Sequence, residues 1–176
     1  MAGIDESLSF HPLNIAILTV SDTRTMETDK SGALLQARAA DAGHQVVERR
    51  IITDDAEALQ QLLKSWVGRP DIEVILTTGG TGVTGRDSTP EAVHAISEKV
   101  IPGFGELFRW LSHKNIGTST IQSRATAGVA KGTYIFAIPG STGACKDAWD
   151  GILHAQLDIR HRPCNFAELI PRLREH

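Results

Sequence analysis

The chain has 176 residues, of which 41% are hydrophobic and 22% charged, and its net charge is −3. This composition is typical of one globular domain with its own hydrophobic core, and the lack of a basic stripe excludes a surface for duplex DNA. The two cysteines are too few for a disulfide framework, and no apolar stretch approaches the ~20 residues of a membrane helix. Because residues 1–13 contain Asp5 and Glu6 and lack the apolar core of a signal peptide, the sequence predicts a cytoplasmic protein.

The first half of the chain alternates between apolar runs and helical patterns. Residues 1–13 are expected to form an arm, and residues 14–176 a single domain. The apolar run Asn14–Val20 is typical of a strand that is buried on both faces of a parallel sheet. A helix over about Ser31–Ala42 follows it, and Val46–Ile52 is a more polar strand that we place nearer the edge of the sheet.

The remaining chain continues the same alternation. Apolar side chains recur at helical spacing at Leu59, Leu62, Leu63 and Trp66. Asp54, with Glu57 three residues later, has the spacing of a capping box at the start of that helix. Two further strands are predicted, at Glu73–Thr78 and Tyr134–Ile138. Three further helices are predicted: one that begins at Thr89-Pro90, one over about Gly103–His113, and a last one from Ser141 or Thr142 to about Gln156. Residues 117–127 favour neither helix nor strand. His44 is interpreted as a surface residue, and Trp110 is interpreted as part of an apolar helix face that belongs to the core.

Strands that alternate with helices of ten or more residues predict an α/β fold, a three-layer αβα sandwich with a mostly parallel central sheet. In such sheets, ligands bind beyond the carboxyl ends of the strands. The glycines and many polar residues of this chain follow its predicted strands, so we expect the functional site at that edge. The chain has no Gly-x-Ser-x-Gly elbow and no histidine pair at zinc-ligand spacing. Phosphate-bearing ligands with Mg²⁺ therefore fit better than acyl or zinc chemistry.

The first candidate element of this site is the glycine-rich segment Thr78–Gly82, which follows a buried strand directly. Glycines let backbone amides approach an anion closely, and Thr78 and Thr81 add hydroxyl groups. The segment matches neither a Walker A loop nor the Gly-x-Gly-x-x-Gly pattern of dinucleotide-binding folds. Anion binding is the favoured interpretation, and a plain tight turn is the alternative.

Charged side chains follow at two other positions of the same rim. Arg86 could pair with a phosphate, and Asp87 could hold Mg²⁺, which proteins bind through one or two carboxylates together with substrate phosphates. Acidic residues at a helix start also serve as caps, so capping is an equally good interpretation of Asp87. The same two interpretations apply to Asp54 and Asp55, which follow the second strand.

Two shorter elements complete the rim. Pro139–Thr142 joins the last strand to the last helix, where a helix N-terminus with glycine and serine can bind an anion, although taken by itself an ordinary turn is the favoured interpretation. Ser21 and Asp22 end the first strand. Several strand ends thus offer hydrogen-bond donors, and two offer carboxylates.

Taken together, these motifs resemble those of the MoaB/MogA family, which includes the G domains of plant and animal molybdenum-insertion proteins such as gephyrin. The motifs are Thr-Gly-Gly-Thr-Gly at 78–82, Arg-Asp-x-Thr-Pro-Glu at 86–91, Pro-Gly-Phe-Gly-Glu at 102–106 and Pro-Gly-Ser at 139–141. The resemblance extends from about Asn14 to Asn165. The stretches at 116–120, 122–125 and 162–166 are most similar to the MoaB branch.

The resemblance implies molybdopterin binding through its phosphate, a homotrimer or homohexamer, and a place beside other proteins of molybdenum cofactor biosynthesis. In active members, the reaction is adenylyl transfer from Mg-ATP to that phosphate, with release of pyrophosphate. By position, Asp54 and Asp87 are the acidic residues that serve Mg²⁺ and catalysis. The implied substrate- and phosphate-binding residues are Ser21, Asp22, Thr78, Gly79, Gly80, Thr81, Gly82, Arg86 and Ser141.

Two other functions are compatible with the same sequence. The first is a non-catalytic molybdopterin-binding or carrier protein of the same pathway, against which the presence of Asp54 and Asp87 is an argument. The second is an unrelated flavodoxin-like α/β protein. It would carry a flavin, and the sequence contains no flavin-specific loop.

Overall fold

A six-stranded mixed sheet forms the centre of the molecule, in a computed structural model that describes residues 3–175. Its strand order is β3 (Gln45–Ile52), β2 (Asn14–Val20), β4 (Val74–Thr78), β7 (Thr133–Ile138), β6 (Thr126–Ala130) and β5 (Lys99–Val100). The first four of these neighbours run parallel to one another. At the other end of the sheet, β6 is antiparallel to β7, and β5 is antiparallel to β6. The predicted αβα sandwich with a mostly parallel sheet is therefore confirmed, and β3 lies at an edge, as its polar sequence indicated.

The strands alternate with helices along most of the chain. The strands are β1 (Gly3–Ile4), β2 (Asn14–Val20), β3 (Gln45–Ile52), β4 (Val74–Thr78), β5 (Lys99–Val100), β6 (Thr126–Ala130), β7 (Thr133–Ile138) and β8 (His161–Arg162). The α-helices are α1 (Lys30–Asp41), α2 (Ala56–Trp66), α3 (Thr89–Ile96), α4 (Pro102–Ile116), α5 (Thr142–Ala148), α6 (His154–Gln156) and α7 (Phe166–Leu169). Short 3-10 helices span Gly117–Gln122 and Ile170–Arg172, and a π-helical turn, Trp149–Leu153, joins α5 to α6. No helix within residues 3–175 is long and apolar enough to cross a membrane.

The hydrophobic core lies on both faces of the sheet. Alternate residues of β2 point to opposite faces, so that Ile15 and Ile17 belong to one buried cluster and Ala16 and Leu18 to the other. The second cluster also contains the apolar side of α2, including the fully buried Trp66. Burial of each such side chain stabilises the fold by roughly 1.5–3 kcal/mol. A strand covered on both faces needs a continuous apolar run, which is why the sequence pattern located β2 correctly.

Strand β6 was not predicted from the sequence. It begins at the end of the segment 117–127, which favoured neither helix nor strand, and three of its five residues are alanine or glycine. The turn between β6 and β7 contains only Lys131 and Gly132, both with positive φ, at 49° and 80°. This backbone is typical of a two-residue hairpin turn, which reverses the chain and makes the β6–β7 pair antiparallel.

Two side chains lie where the sequence interpretation did not place them. His44 is only 5% exposed, and its Nδ1 accepts a hydrogen bond from the amide of Leu13 at 3.2 Å. Trp110 is 63% exposed and lies on the outer surface of α4. The interpretation of His44 as a surface residue is therefore wrong, and so is that of Trp110 as a core residue.

The two ends of the chain pack on the same side of the domain. Strand β1, in the N-terminal arm, pairs antiparallel with β8 near the C-terminus. The ring of Phe166 lies 5.0 Å from that of Tyr134 and 5.6 Å from that of Phe136, both on β7. The tail after Asp158 therefore packs on the domain itself.

Candidate functional site

The carboxyl ends of four strands meet at one edge of the sheet. Strands β3, β2, β4 and β7 are parallel neighbours, so the residues that follow Ile52, Val20, Thr78 and Ile138 emerge side by side. The amide of Ser21 still donates to the carbonyl oxygen of Ile52 at 2.8 Å, and the amide of Gly79 donates to that of Ile138 at 3.0 Å. The loops that carry the predicted site residues are thereby held against one another.

The glycine-rich loop is the closest-packed part of this edge. Gly79 and Gly80 have φ values of 106° and 63°, which residues with side chains rarely adopt. A Cβ atom on Gly79 would overlap the carbonyl oxygen of Val20, and one on Gly80 would overlap the hydroxyl of Thr89. That hydroxyl donates to the carbonyl oxygen of Gly79 at 2.9 Å. The glycines are therefore required where β2, β4 and α3 converge.

The two threonines of the loop are both buried. Thr78 is fully buried, and its hydroxyl donates to the carbonyl oxygen of Pro139 at 3.1 Å, which ties the end of β4 to the loop after β7. Thr81 is 3% exposed. The hydroxyl of Thr78 is therefore engaged within the protein.

Asp54 has the least compensated carboxylate of the site. Its Oδ1 is buried and has no hydrogen-bond partner within residues 3–175. Burial raises the pKa of Asp54 above its ordinary value, and the negative charges of Asp87 and Asp22 raise it further. Helix α2 is capped by Asp55 instead, whose carboxylate accepts from the amide of Ala58 at 2.8 Å. The capping interpretation is therefore wrong for Asp54 and correct for Asp55.

Asp87 lies in a different environment from Asp54. Its Oδ2 accepts hydrogen bonds from the hydroxyl of Thr84 at 2.6 Å and from its amide at 2.8 Å. These bonds, together with the amide of Gly82 and the charge of Arg124, lower the pKa of Asp87. The N-cap position of α3 is Ser88, and Asp87 comes one residue before it. Asp87 therefore stabilises the turn before the helix and does not cap the helix. Its carboxylate stays ionised beside that of Asp54.

Arg86 and Asp22 form an ion pair at the entrance of the site. The Nη2 atom of Arg86 lies 2.9 Å from Oδ2 of Asp22, and their side chains are 68% and 40% exposed. The other oxygen of Asp22 accepts from the amide of Asp54 at 3.1 Å. An ion pair as exposed as this contributes at most about 1 kcal/mol, so an incoming anion can compete for the guanidinium at little cost.

The two serines of the predicted site lie at different positions on the rim. Ser21 accepts hydrogen bonds through its Oγ from the amides of Thr23 and Arg24, both at 3.3 Å, and thus shapes the loop after β2. Ser141 is exposed and caps α5, accepting from the amide of Ala144 at 3.1 Å. The residue before it, Gly140, packs against the backbone of Gly79. The structure thus gathers Asp22, Asp54, Arg86 and Asp87 directly and connects Ser141 to them through the glycine loop.

Sequence reasoning missed two charged groups that support this edge. Asp29 is 2% exposed and accepts from Thr19, from the amide of Gly32 and, at 2.8 Å, from Arg49. Arg124 binds the glycine loop from the opposite side. Asp29 caps α1 locally through Gly32, but its charged partner Arg49 and the partners of Arg124 are distant in sequence, so spacing did not reveal these contacts. The sequence pointed to Arg124 only through the stretch at 122–125, which is similar to the motifs described above.

Open cavities flank the carboxylates on two sides. One, of about 440 Å³, is lined by Ser21, Asp22, Arg24, Thr25, Met26 and residues 49–53. The other, of about 430 Å³, is lined by Val83, Thr84, Gly85, Asp87, Ser88, Glu91 and Arg124. Each has the size of a small-molecule site. The edge of the sheet can therefore accommodate two ligand groups with the acidic residues near both.

Within residues 3–175, no three histidine, cysteine or acidic side chains converge as a complete metal site. Mg²⁺ needs no such cage, because it binds through one or two carboxylates together with the phosphates of a substrate. The unpartnered Oδ1 of Asp54, next to the ionised Asp87, fits that role. A divalent cation held with a phosphate ligand would offset the repulsion that raises the pKa of Asp54.

The fold is a three-layer α/β sandwich, and its strand ends bring together a glycine-rich loop, three carboxylates and an exposed arginine. Residues 16–159 match the family described as probable molybdopterin binding domain. Molybdenum cofactor biosynthesis protein B of Escherichia coli K12 is 51% identical over 160 residues, which cover 91% of this chain and 94% of that protein.

Solved structures agree with these matches. A crystal structure of molybdenum cofactor biosynthesis protein B superposes with a TM-score of 0.86 at 39% identity, covering 96% of this chain and all of the other. The tungsten cofactor synthesizing protein MoaB of Pyrococcus furiosus superposes with a TM-score of 0.74 at 31% identity, over 93% and 98% of the two chains. The chain belongs to the MoaB/MogA family, as its motifs predicted, and to the MoaB branch within it.

Proposed function

We propose that this protein acts in molybdenum cofactor biosynthesis, binds molybdopterin at the carboxyl edge of its sheet, and transfers AMP from Mg-ATP to the pterin phosphate. The observation that carries this proposal is the buried, unpartnered Oδ1 of Asp54 beside the ionised Asp87 and the glycine loop. An uncompensated buried carboxylate oxygen is costly. A cation that arrives with the phosphates of a substrate would remove that cost.

The reaction joins two anions, so its main requirement is charge compensation. An oxygen of the pterin phosphate attacks the α-phosphorus of ATP, a P–O bond forms, and the bond to pyrophosphate breaks. Asp54 and Asp87 would hold Mg²⁺, which supplies positive charge for the phosphates. The backbone amides of the glycine loop donate to phosphate oxygens, and Arg86 exchanges Asp22 for a phosphate. No covalent intermediate with the protein is needed.

The two cavities beside the carboxylates support a two-substrate reaction. Each exceeds 400 Å³, and they share no lining residue. Asp22 lines one cavity and Asp87 lines the other, so a ligand in each would have a carboxylate of the site at its cavity wall. Orientation of two reactants in this way accounts for a large part of the rate of many enzymes.

The homotrimer or homohexamer implied by the family resemblance is part of the same proposal. Four large apolar side chains on α4 and on the 3-10 helix that follows it are exposed in the single chain, namely Leu107, Trp110, Ile116 and Ile121. A second copy could cover them. Light scattering coupled to size-exclusion chromatography would give the mass directly.

The experiment that tests the proposed reaction combines the purified protein with molybdopterin, ATP and Mg²⁺ and measures adenylylated molybdopterin. We expect product with the wild type, and a loss on the order of 100-fold or more with Asp87→Asn and Asp54→Asn. Asp55→Asn is the matched control. It removes one negative charge next to the site, yet asparagine still caps α2, so it should remain active.

The result that contradicts the transferase is equally clear. If none of the proteins forms product while all of them bind molybdopterin, the protein is a non-catalytic carrier of the pterin. If Asp55→Asn loses as much product as Asp87→Asn, the loss reflects net charge or stability rather than the two proposed magnesium ligands.

A further inference from the structure

The guanidinium of Arg124 connects the two ends of the turn that carries Asp87. Its Nε donates to the carbonyl oxygen of Gly82 at 2.6 Å, and its Nη2 donates to the carbonyl oxygen of Asp87, also at 2.6 Å. Its Nη1 forms an ion pair with Glu91 on α3. The amide of Arg124 donates to the carbonyl oxygen of Thr81 at 2.9 Å. One residue thus contacts the end of the glycine loop, Asp87 and the following helix.

The geometry of these contacts requires arginine. The guanidinium is a rigid planar group with five N–H donors pointing in fixed directions, so it can hold several acceptors at a set spacing. A lysine ammonium is a single point charge on a flexible chain. It could keep the charge and one hydrogen bond, but it could not span the carbonyl oxygens of Gly82 and Asp87 and reach Glu91 together.

Through these contacts, Arg124 determines where Asp87 stands relative to the glycine loop. The carboxylate of Asp87 is bound to Thr84, which lies inside the same turn, so this internal bond does not fix the turn relative to β4. Two sets of side-chain contacts join this turn to its surroundings. The exposed Arg86 pairs with Asp22, and the half-buried Arg124 holds the carbonyl oxygens at the two ends of the turn. The positive charge of Arg124 also helps to lower the pKa of Asp87.

We propose that Arg124 is a positioning residue for the adenylyl transfer described above, and that it acts through Gly82 and Asp87. The catalytic part of this inference, the effect of Arg124 on adenylyl transfer, rests on the proposed function. Its structural content, the immobilisation of the turn from Gly82 to Asp87, does not depend on the reaction. Glu91 is the counter-charge that orients the guanidinium.

The test compares Arg124→Gln and Arg124→Lys with Arg109→Gln. Arg109, on α4, is a matched control because its Nη1 donates to the carbonyl oxygens of Ser123 and Ala125, the two neighbours of Arg124 in the chain. Loss of Arg109 therefore loosens the same segment without releasing the turn. Two quantities are measured: kcat and KM for ATP in the transfer assay, and hydrogen exchange of the amides from Gly79 to Asp87 in the ligand-free protein.

We expect Arg124→Gln to lower kcat on the order of 100-fold, the effect of a misplacement of about 1 Å, with KM for ATP changed by less than about threefold. Arg124→Lys should lower kcat at least about tenfold, because charge alone does not replace the planar group. In both variants, amide exchange from Gly79 to Asp87 should become faster. Arg109→Gln should retain wild-type kcat and wild-type exchange in that segment.

Several results would overturn the inference. Full activity of Arg124→Lys, or an equal loss of kcat in Arg109→Gln, would reduce Arg124 to a general contributor to stability. Unchanged exchange in Arg124→Gln would show that the turn is held without it, whatever the activity. A wild type that forms no product would end the proposed function and the catalytic role of Arg124. The exchange data would then decide separately whether Arg124 immobilises the turn.

Discussion

His44 makes the stability of this fold sensitive to mild acid. The imidazole is 5% exposed and accepts a hydrogen bond from the amide of Leu13, so the neutral ring is the form that fits. Burial lowers the pKa of His44 from 6.5 to about 4; the charge of Asp158 acts in the opposite direction, and that of His154 in the same direction. Protonation of His44 in the folded state is therefore disfavoured, because the charged ring would be buried without its hydration and could no longer accept the hydrogen bond from Leu13.

The sign and size of the effect follow from linkage. Since the pKa of His44 is lower in the folded state, its contribution to stability is complete above pH 6.5 and is lost as the pH falls towards 4. The full difference corresponds to about 3 kcal/mol, because one pKa unit is worth about 1.4 kcal/mol. Between pH 7 and pH 5, this residue alone should lower the free energy of unfolding by about 2 kcal/mol.

Urea unfolding at pH 7 and pH 5 measures this loss. His44→Gln removes the titration and keeps an oxygen that can accept from the amide of Leu13, so its free energy of unfolding should fall by about 2 kcal/mol less than that of the wild type. His113→Gln is the control, because His113 is exposed on α4 and should behave as the wild type does. Equal losses in the wild type and His44→Gln would refute the assignment of the pH sensitivity to His44.

Three further substitutions near the site should change the free energy of unfolding, and urea unfolding at pH 7 measures each change. Asp54→Asn should raise it, whereas Gly79→Ala and Arg49→Met should lower it. Asp54→Asn should stabilise the ligand-free protein by about 1 kcal/mol. The pKa of Asp54 is raised, so its ionised form costs stability as the pH rises through that pKa, and the wild type and the variant should converge in acid. Gly79→Ala should destabilise by about 1–3 kcal/mol or more because of its φ of 106° and the overlap with Val20. Arg49→Met should cost roughly 3 kcal/mol, since it leaves the carboxylate of Asp29 buried and without its counter-charge. A cost near zero would mean that Thr19 and the amide of Gly32 are sufficient for Asp29.

The parts of the fold that sequence predicted are those determined by local patterns. The run Asn14–Val20 gave the bounds of β2 because a strand covered on both faces must be apolar throughout. The glycines of Thr78–Gly82 marked a close approach because only glycine tolerates the positive φ at Gly79 and Gly80. Both features can be read from a few consecutive residues, whatever lies around them.

The parts that sequence did not predict depend on strand pairing or on partners far along the chain. Three of the five residues of β6 are alanine or glycine, which have little preference for strands, and its pairing with β7 stabilises it as a strand. His44 is buried because Leu13, 31 residues earlier, supplies a donor for it. Arg124 meets Gly82, 42 residues earlier, and Asp87, 37 residues earlier. No short window of sequence contains Leu13 with His44, or Gly82 with Arg124.

The adjacent pair Asp54 and Asp55 illustrates how structure divides roles that sequence leaves equivalent. Either residue could cap α2, and the spacing to Glu57 favoured Asp54. The structure assigns the cap to Asp55, which leaves the Oδ1 of Asp54 buried without a partner within residues 3–175. Stability alone does not explain a carboxylate there, since asparagine would avoid the repulsion from Asp22 and Asp87. A ligand that brings positive charge to this position does explain it, and that is the physical argument for a magnesium–phosphate complex at this edge of the sheet.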